Sequence, residues 1–375
     1  MAKTSGARRG LRTLAGGLAI GVSLLPVSEW AWTAVSPASA PTASMTVAKD
    51  GAGWMARQML ANGGDIAPAA TPDPTDTAYA VLGLHATGVG STAASDAIGF
   101  LETQLGAISA GGSDDPGVLG EFILAAHASG VNPRQFGGTA PANNLVRRLL
   151  ATEQKSGSNL GLFGSQAPTY NGAFRQGLAL MSLEVAGIAA SNATVAQGIT
   201  WLEHQQCSTG LWEAYRADTA TPCPPPDPTT FTGPDTNSTA LAVEGLAVYG
   251  AHPLKTALVH QLHLVQSSDG GFPYIAASGQ ASDPDSTALV IQTLLAEGLR
   301  PGSASWTVSG STPYTALASY QLGCSAPVAN RGSFYYPGST TPSVIATVQA
   351  VPAAAGKALP VGETLLSNSN PTVAC

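Results

Sequence analysis

Charge is what this sequence has least of. Only 10% of its 375 residues are Asp, Glu, Lys or Arg, and the 16 basic residues are outnumbered by 23 acidic ones. No basic stripe is available to neutralise phosphates, which argues against nucleic acid as a partner. Aromatics are also scarce, at 6%, against 44% hydrophobic residues overall. A core poor in rings must be built from Ala, Leu and Val, and small side chains suit closely packed helices better than a sandwich. No cysteine pair has C-x-x-C spacing, which argues against zinc. Gly-rich phosphate cradles and a Ser-His-Asp signature are missing too, so no cofactor and no metal is expected. Beyond the N-terminus no apolar run approaches 18 residues, so the mature chain is not expected to span a membrane.

The N-terminus itself has the pattern of an export signal. Lys3, Arg8, Arg9 and Arg12 precede an apolar stretch from Leu14 to Val27, and Ala38-Ser39-Ala40 offers a small-residue cleavage site, with cuts after Ala38 and after Ala40 both open. Removing residues 1–40 leaves 12 basic and 22 acidic residues. The expected address is extracellular. Four cysteines, all beyond the signal, fit an oxidising compartment. Of three possible pairings, Cys207–Cys223 would close a Pro-rich loop and Cys324–Cys375 would tie down the tail. The expected layout is a signal over 1–40, a linker over 41–49, one domain over 50–360 and a tail over 361–375.

Self-similarity is the strongest signal. Residues 77–88, 239–250 and 287–298 each run from Thr to Gly and are apolar, with small residues interspersed. Each reads as a buried helix ending on a glycine just past its last turn. Weaker copies end at Gly130, at Gly187 and near Ala354, which makes six. A more amphipathic segment precedes each copy, over 55–61, 97–105, 145–154, 198–206, 257–266 and 314–322. In the fourth, Trp201 and Leu202 are apolar while Glu203, His204, Gln205 and Gln206 are polar, as on an outer helix with one buried face. Twelve helices alternating inner and outer predict an all-α double ring, an (α/α)6 toroid of six helix-hairpin repeats.

Within these repeats Gly198, Trp201, Leu202, Gln206, Gly210 and Trp212 match the QW repeat of squalene/oxidosqualene cyclases. Gln266, Gly270 and Phe272, and Gln154, Gly161 and Phe163, look like degenerate copies. The chain therefore resembles the squalene cyclase/prenyltransferase toroids, and is also similar to the helical domain of cobalamin-carrier proteins. Physically, a Gln ending an outer helix can bond backbone groups of the next turn while Trp212 packs between repeats.

The inner helices open on acidic and hydroxyl residues: Asp73 to Thr77, Asp235 to Thr239 and Asp283 to Thr287. The plain reading is N-capping. The cyclase resemblance adds a chemical one, because an Asp-x-Asp-Asp-Thr motif at this place supplies the proton that starts cyclisation. Asp283-Pro284-Asp285-Ser286-Thr287 matches it except at Ser286. The resemblance implies Asp285 as general acid, oriented by Asp283 and Ser286. Prenyl transfer is less well supported: the zinc pattern Asp-x-Cys is missing, and His260 and His263 on an outer helix read as solvated or packing residues.

Three functional expectations follow. In the first, the secreted toroid binds an apolar or polycyclic small molecule, or a peptide, in its central cavity. Asp76, Asp235, Trp212, Tyr215, Phe272, Tyr274 and Tyr335 would then be ligand contacts among aromatics ringing the mouth. The second is a class II-type, proton-initiated terpene cyclase. The third is a structural or protein-interaction surface module using the Pro-rich loop 217–236.

Overall fold

Acidic or hydroxyl caps start five of the six inner helices, and glycines end all six. The computed structural model describes residues 44–375, apart from 69, 107, 111, 112 and 166. The expected export signal therefore lies outside the described residues. In chain order the helices are α1 (Met45–Ala61), α2 (Pro74–Thr87), α3 (Ser91–Thr103), α4 (Pro116–Ala128), α5 (Leu145–Ala151), α6 (Pro168–Asn171) and α7 (Ala173–Val185). They continue with α8 (Ala193–His204), α9 (Thr236–Ala247), α10 (Lys255–Val265), α11 (Pro284–Ala296), α12 (Pro313–Ser319) and α13 (Val344–Ala354). The only paired strands among the described residues form a short hairpin, β1 (Ser109–Ala110) with β2 (Ser113–Asp114).

Helices α2, α4, α7, α9, α11 and α13 each pack against the next, and α13 packs back onto α2. That last contact closes the ring. Outside it, α1 lies on α13 and α2, α3 on α2, α5 on α4 and α7, α8 on α7, and α12 on α11 and α13. Helix α10 completes the outer set, burying Leu258, Leu262 and Val265. The fold is an all-α (α/α)6 toroid of six helix pairs, as the repeats predict. The expected first outer helix over 55–61 is longer than read, beginning at Met45.

The side-chain caps are Asp73, Asp115, Asp235, Asp283 and Ser343, each accepting from a free backbone N–H of its first turn. Helix α7 starts at Gly172 without one. At the other ends, left-handed glycines stop the inner helices from Gly88 (φ 72°) to Gly356 (φ 71°). Helix α13 ends at Ala354, as expected for the sixth copy, and Gly356 follows two residues on. Close approach between α7 and α9 depends on a pair of glycines: a Cβ on Gly245 would come within 2.6 Å of the Gly177 Cα.

The QW residues hold the outer layer to the inner one. Gln206 Nε2 donates to Gly210 O and Pro253 O, both at 3.0 Å, and Trp212 Nε1 donates to Leu202 O at 2.8 Å. Gln266 repeats the arrangement on Gly270 O and Trp306 O, and Gln321 on Gly332 O and Val47 O. Gln154 donates to Gly164 O. A second device accompanies it. The backbone N–H groups of Ile66, Trp212, Phe272 and Phe334 donate to the hydroxyls of Thr77, Thr239, Thr287 and Thr347, one on each of four inner helices. Gln176 serves Phe163 in the same way.

Both expected disulfides are present, Cys207–Cys223 and Cys324–Cys375. The second anchors a tail that runs across the C-terminal ends of the inner helices. Leu359 N donates to Glu244 on α9, Ser367 N to Gly88 O beyond α2, and Gly90 N to Ser369 O; Arg57 on α1 then binds Pro371 O. No helix among the described residues is long and apolar enough to cross a membrane.

Candidate active site and ligand pocket

The N-terminal ends of the inner helices gather carboxyls at one face of the ring. Asp283 occupies the cap of α11, and its Oδ1 accepts from Ser286 N at 2.8 Å. Asp285, two residues on, is therefore not a cap. It is buried, and Oδ2 accepts from the hydroxyl of Tyr336, in the loop before α13. Its other oxygen has no partner among the described residues. Burial pushes the Asp285 carboxyl up to about 8, and the nearby charges of Asp283 and Asp76 add to the shift. At neutral pH it holds its proton.

Asp76 stands in the first turn of α2, two inner helices round the ring from α11. Its carboxyl is pushed up to about 7, first by burial and then by Asp73, the cap of the same helix. One turn further along lie Tyr79 on α2 and Glu121 on α4, both buried. The Tyr79 hydroxyl and Glu121 Oε2 lack partners among the described residues. Glu121 is raised well above its ordinary value by burial, then by Asp115 and Asp76. Further still, Glu244 on α9 accepts from Leu359 N at 2.8 Å and is pushed by burial up to about 8. The result is a ladder of carboxyls that burial shifts toward their neutral form. Neutral acids donate hydrogen bonds or protons, and they tolerate apolar neighbours.

The resemblance implies that Asp283 and Ser286 orient Asp285, and neither side chain is bonded to its carboxyl among the described residues. Asp283 caps α11, and the buried Ser286 Oγ has no partner among the described residues. Tyr336 takes the orienting place, and nothing in the sequence reading singled it out for this.

The remaining candidates separate by burial. Trp212 and Phe272 are wholly buried, Trp212 bonded to Leu202 and Phe272 tilted against Trp306, so both pack repeats together rather than ring a mouth. Tyr215 stacks on Trp201 and donates to Asn159, and Tyr335 donates to Ser319 O with its ring edge-on to Tyr320. His263 stacks on Trp306, which is a packing role. Cys207, Glu213 and Cys223 are the one group of three potential metal ligands found among the described residues, and its two sulfurs are joined in a disulfide. Asp235 and Tyr274, by contrast, come together. They line an open pocket of about 390 Å3 at the N-terminal ends of α7 and α9, with Tyr170 and Arg175 on the facing wall.

The chain's sequence matches no protein-family model and no curated protein. Its fold does have solved counterparts. The type II terpene cyclase MstE from Scytonema aligns at a TM-score of 0.52 and 15% identity, over 82% of this chain and 98% of that one. A variant of that enzyme in complex with its substrate, geranylgeranyl dihydroxybenzoate, aligns at 0.50 and 14% identity, over 83% and 96%. A protein from Actinoplanes aligns at 0.50 and 17% identity, over 83% and 98%. The chain thus has a terpene-cyclase-like fold.

Proposed function

We propose that the protein is an exported binder of an apolar or polycyclic small molecule, taken up in its central cavity from the N-terminal face of the ring, with Asp285 as a polar contact. The observation that carries this reading is the state of Asp285. A buried carboxyl that is neutral at pH 7, held by Tyr336 on one oxygen and unpaired on the other, offers one directed donor toward a ligand. Buried polar atoms without partners are rare in folded proteins and concentrate where a ligand completes them. The solved enzyme with the same fold holds a prenylated aromatic substrate, which is the class of molecule expected here. Native mass spectrometry of the exported protein tests the reading. A co-purifying apolar mass that is lost in Asp285→Asn supports it; a protein that carries no small molecule and takes up none from a lipid extract overturns it, and a bound peptide would point to the other occupant of the ring.

A second reading has its own support. A class II-type cyclase needs an acid that keeps its proton until an alkene meets it, and Asp285 has that character. The proton would pass from Asp285 to a terminal alkene carbon, a neighbouring double bond would close on the cation, and loss of a proton would end the sequence. Incubation with squalene and linear prenyl substrates decides. Cyclic product from the wild type and none from Asp285→Asn supports catalysis, and folded protein yielding no cyclic product leaves binding alone.

A further inference from the structure

The pocket between the starts of α7 and α9 has a different chemistry from the carboxyl ladder. Its walls are polar and fixed. On one side Arg175 lies 3.6 Å above the ring of Tyr170, donates from Nε to Asp115 at 3.2 Å and from Nη1 to Tyr170 O at 2.6 Å. The Tyr170 hydroxyl donates to the same Asp115 at 2.9 Å. These three residues brace one another, and Arg175 Nη2 has no partner among the described residues. On the other side, Thr236 N donates to Tyr274 O at 2.9 Å and Thr236 Oγ1 to Pro273 O at 2.8 Å, which pins the Tyr274 loop to the start of α9.

Tyr274 is 40% exposed and Tyr170 45%, so both rings are open to solvent. Between them stand Asp235, only 3% exposed, and Asn237, whose amide nitrogen has no partner among the described residues. The cavity of about 390 Å3 lies at the small end of the roughly 300–1,000 Å3 typical of small-ligand sites.

We propose that this pocket is a saccharide-binding site, in which one pyranose ring lays its C–H face on Tyr274 while adjacent hydroxyls bond Asp235, Asn237 and Arg175. The argument is one of matching chemistry. A sugar ring presents an apolar C–H face and an edge of vicinal hydroxyls that both donate and accept. An exposed aromatic face beside planar carboxylate, amide and guanidinium groups is the complement of that pattern. A wholly apolar ligand would strip water from the three polar groups and replace none of the hydrogen bonds lost. An anion would meet the Asp235 carboxylate, and a simple cation would meet the guanidinium of Arg175. A neutral polyol satisfies both walls. The braced walls lower the ordering cost of binding. This site stands independently of the ligand assigned to Asp285.

Saturation-transfer NMR on the mature protein, with methyl glycosides of glucose, galactose, mannose and N-acetylglucosamine as probes, tests it. At least one glycoside should receive saturation, strongest at the protons of one ring face. Tyr274→Ala and Asp235→Asn should each weaken affinity about tenfold, the loss of one good contact. Asn at 235 preserves the helix cap, so a folded variant is expected and far-UV circular dichroism checks it. No transfer to any of the four glycosides, or transfer that survives both substitutions undiminished, overturns the proposal.

Discussion

The hydroxyl of Tyr336 donates to Asp285 across a separation of 51 residues, joining the loop before the last inner helix to the first turn of the one before it. This contact leaves one Asp285 oxygen engaged and the other directed elsewhere, and it gives the carboxyl a neighbour that donates rather than a cation. An arginine there would pull the acid into its charged form; a phenol leaves burial in control.

The pH dependence of stability follows from that. Asp285 and Glu244 are pushed up to about 8 and Asp76 to about 7 in the fold, while their unfolded values lie near 4. Between these limits the folded chain holds protons that the unfolded chain has released, so stability falls as pH rises from about 4 to about 8 and levels off above. Thermal melts from pH 4 to 9 should show this decline. Asp285→Asn should make it shallower, because the amide stays neutral at every pH. An unchanged slope would show that Asp285 is ionised in the fold.

Gln206 bonds two carbonyls that belong to different turns. Gln206→Ala should cost about 2 kcal/mol, through two lost hydrogen bonds and two carbonyls left short of a donor. Urea melts would read the loss, and binding at Asp285 should be untouched because the site is at the inner layer.

Gly245→Ala probes the closest helix contact. Its new methyl would meet the Gly177 Cα at 2.6 Å, so α7 and α9 must separate. A loss of about 1–3 kcal/mol is expected, as for other overpacked cores. Gly187→Ala is a useful contrast: an added Cβ there meets nothing within 4 Å, and only the left-handed backbone (φ 77°) resists the change.

Replacing Cys324 and Cys375 by Ser should release the tail. The bridge spans 51 residues, and the chain-entropy model assigns a loop of that size about 4 kcal/mol. Limited proteolysis should then cut within residues 361–375 of the variant and spare the wild type.

The ring was legible in the sequence because its signals are local and repeated. A glycine past each inner helix, a polar cap before it and a Gln at the outer turn all act within a few residues, and each recurs. The sixth copy, read only by its apolar run over 343–354, matches α13, and its glycine follows two residues on at Gly356. The threonine hydroxyls that receive backbone N–H groups were visible as a recurring Thr, yet their partners lie 11 to 27 residues away, so the role was hidden. Tyr336 was harder still. In sequence it is one of three neighbouring aromatics, Phe334, Tyr335 and Tyr336, which end up buried against a repeat, half-buried on Tyr320 and bonded to Asp285. Composition cannot sort such rings, because an aromatic used for packing and one used at a site have the same apolar character.

Contact between α13 and α2 has an implication for how such a chain can evolve. In an open stack of repeats a unit can be gained or lost at either end, and the remaining interfaces survive. Here no unit is terminal. Deleting any helix pair breaks two inner interfaces at once and leaves five helices to span an arc that six now fill, while adding one forces every crossing angle to change. The copy number is thereby frozen, and variation is confined to the loops at the two faces. One face carries the crossing tail, which leaves the loops at the starts of the inner helices as the place where one member of such a lineage can come to differ from another in what it recognises.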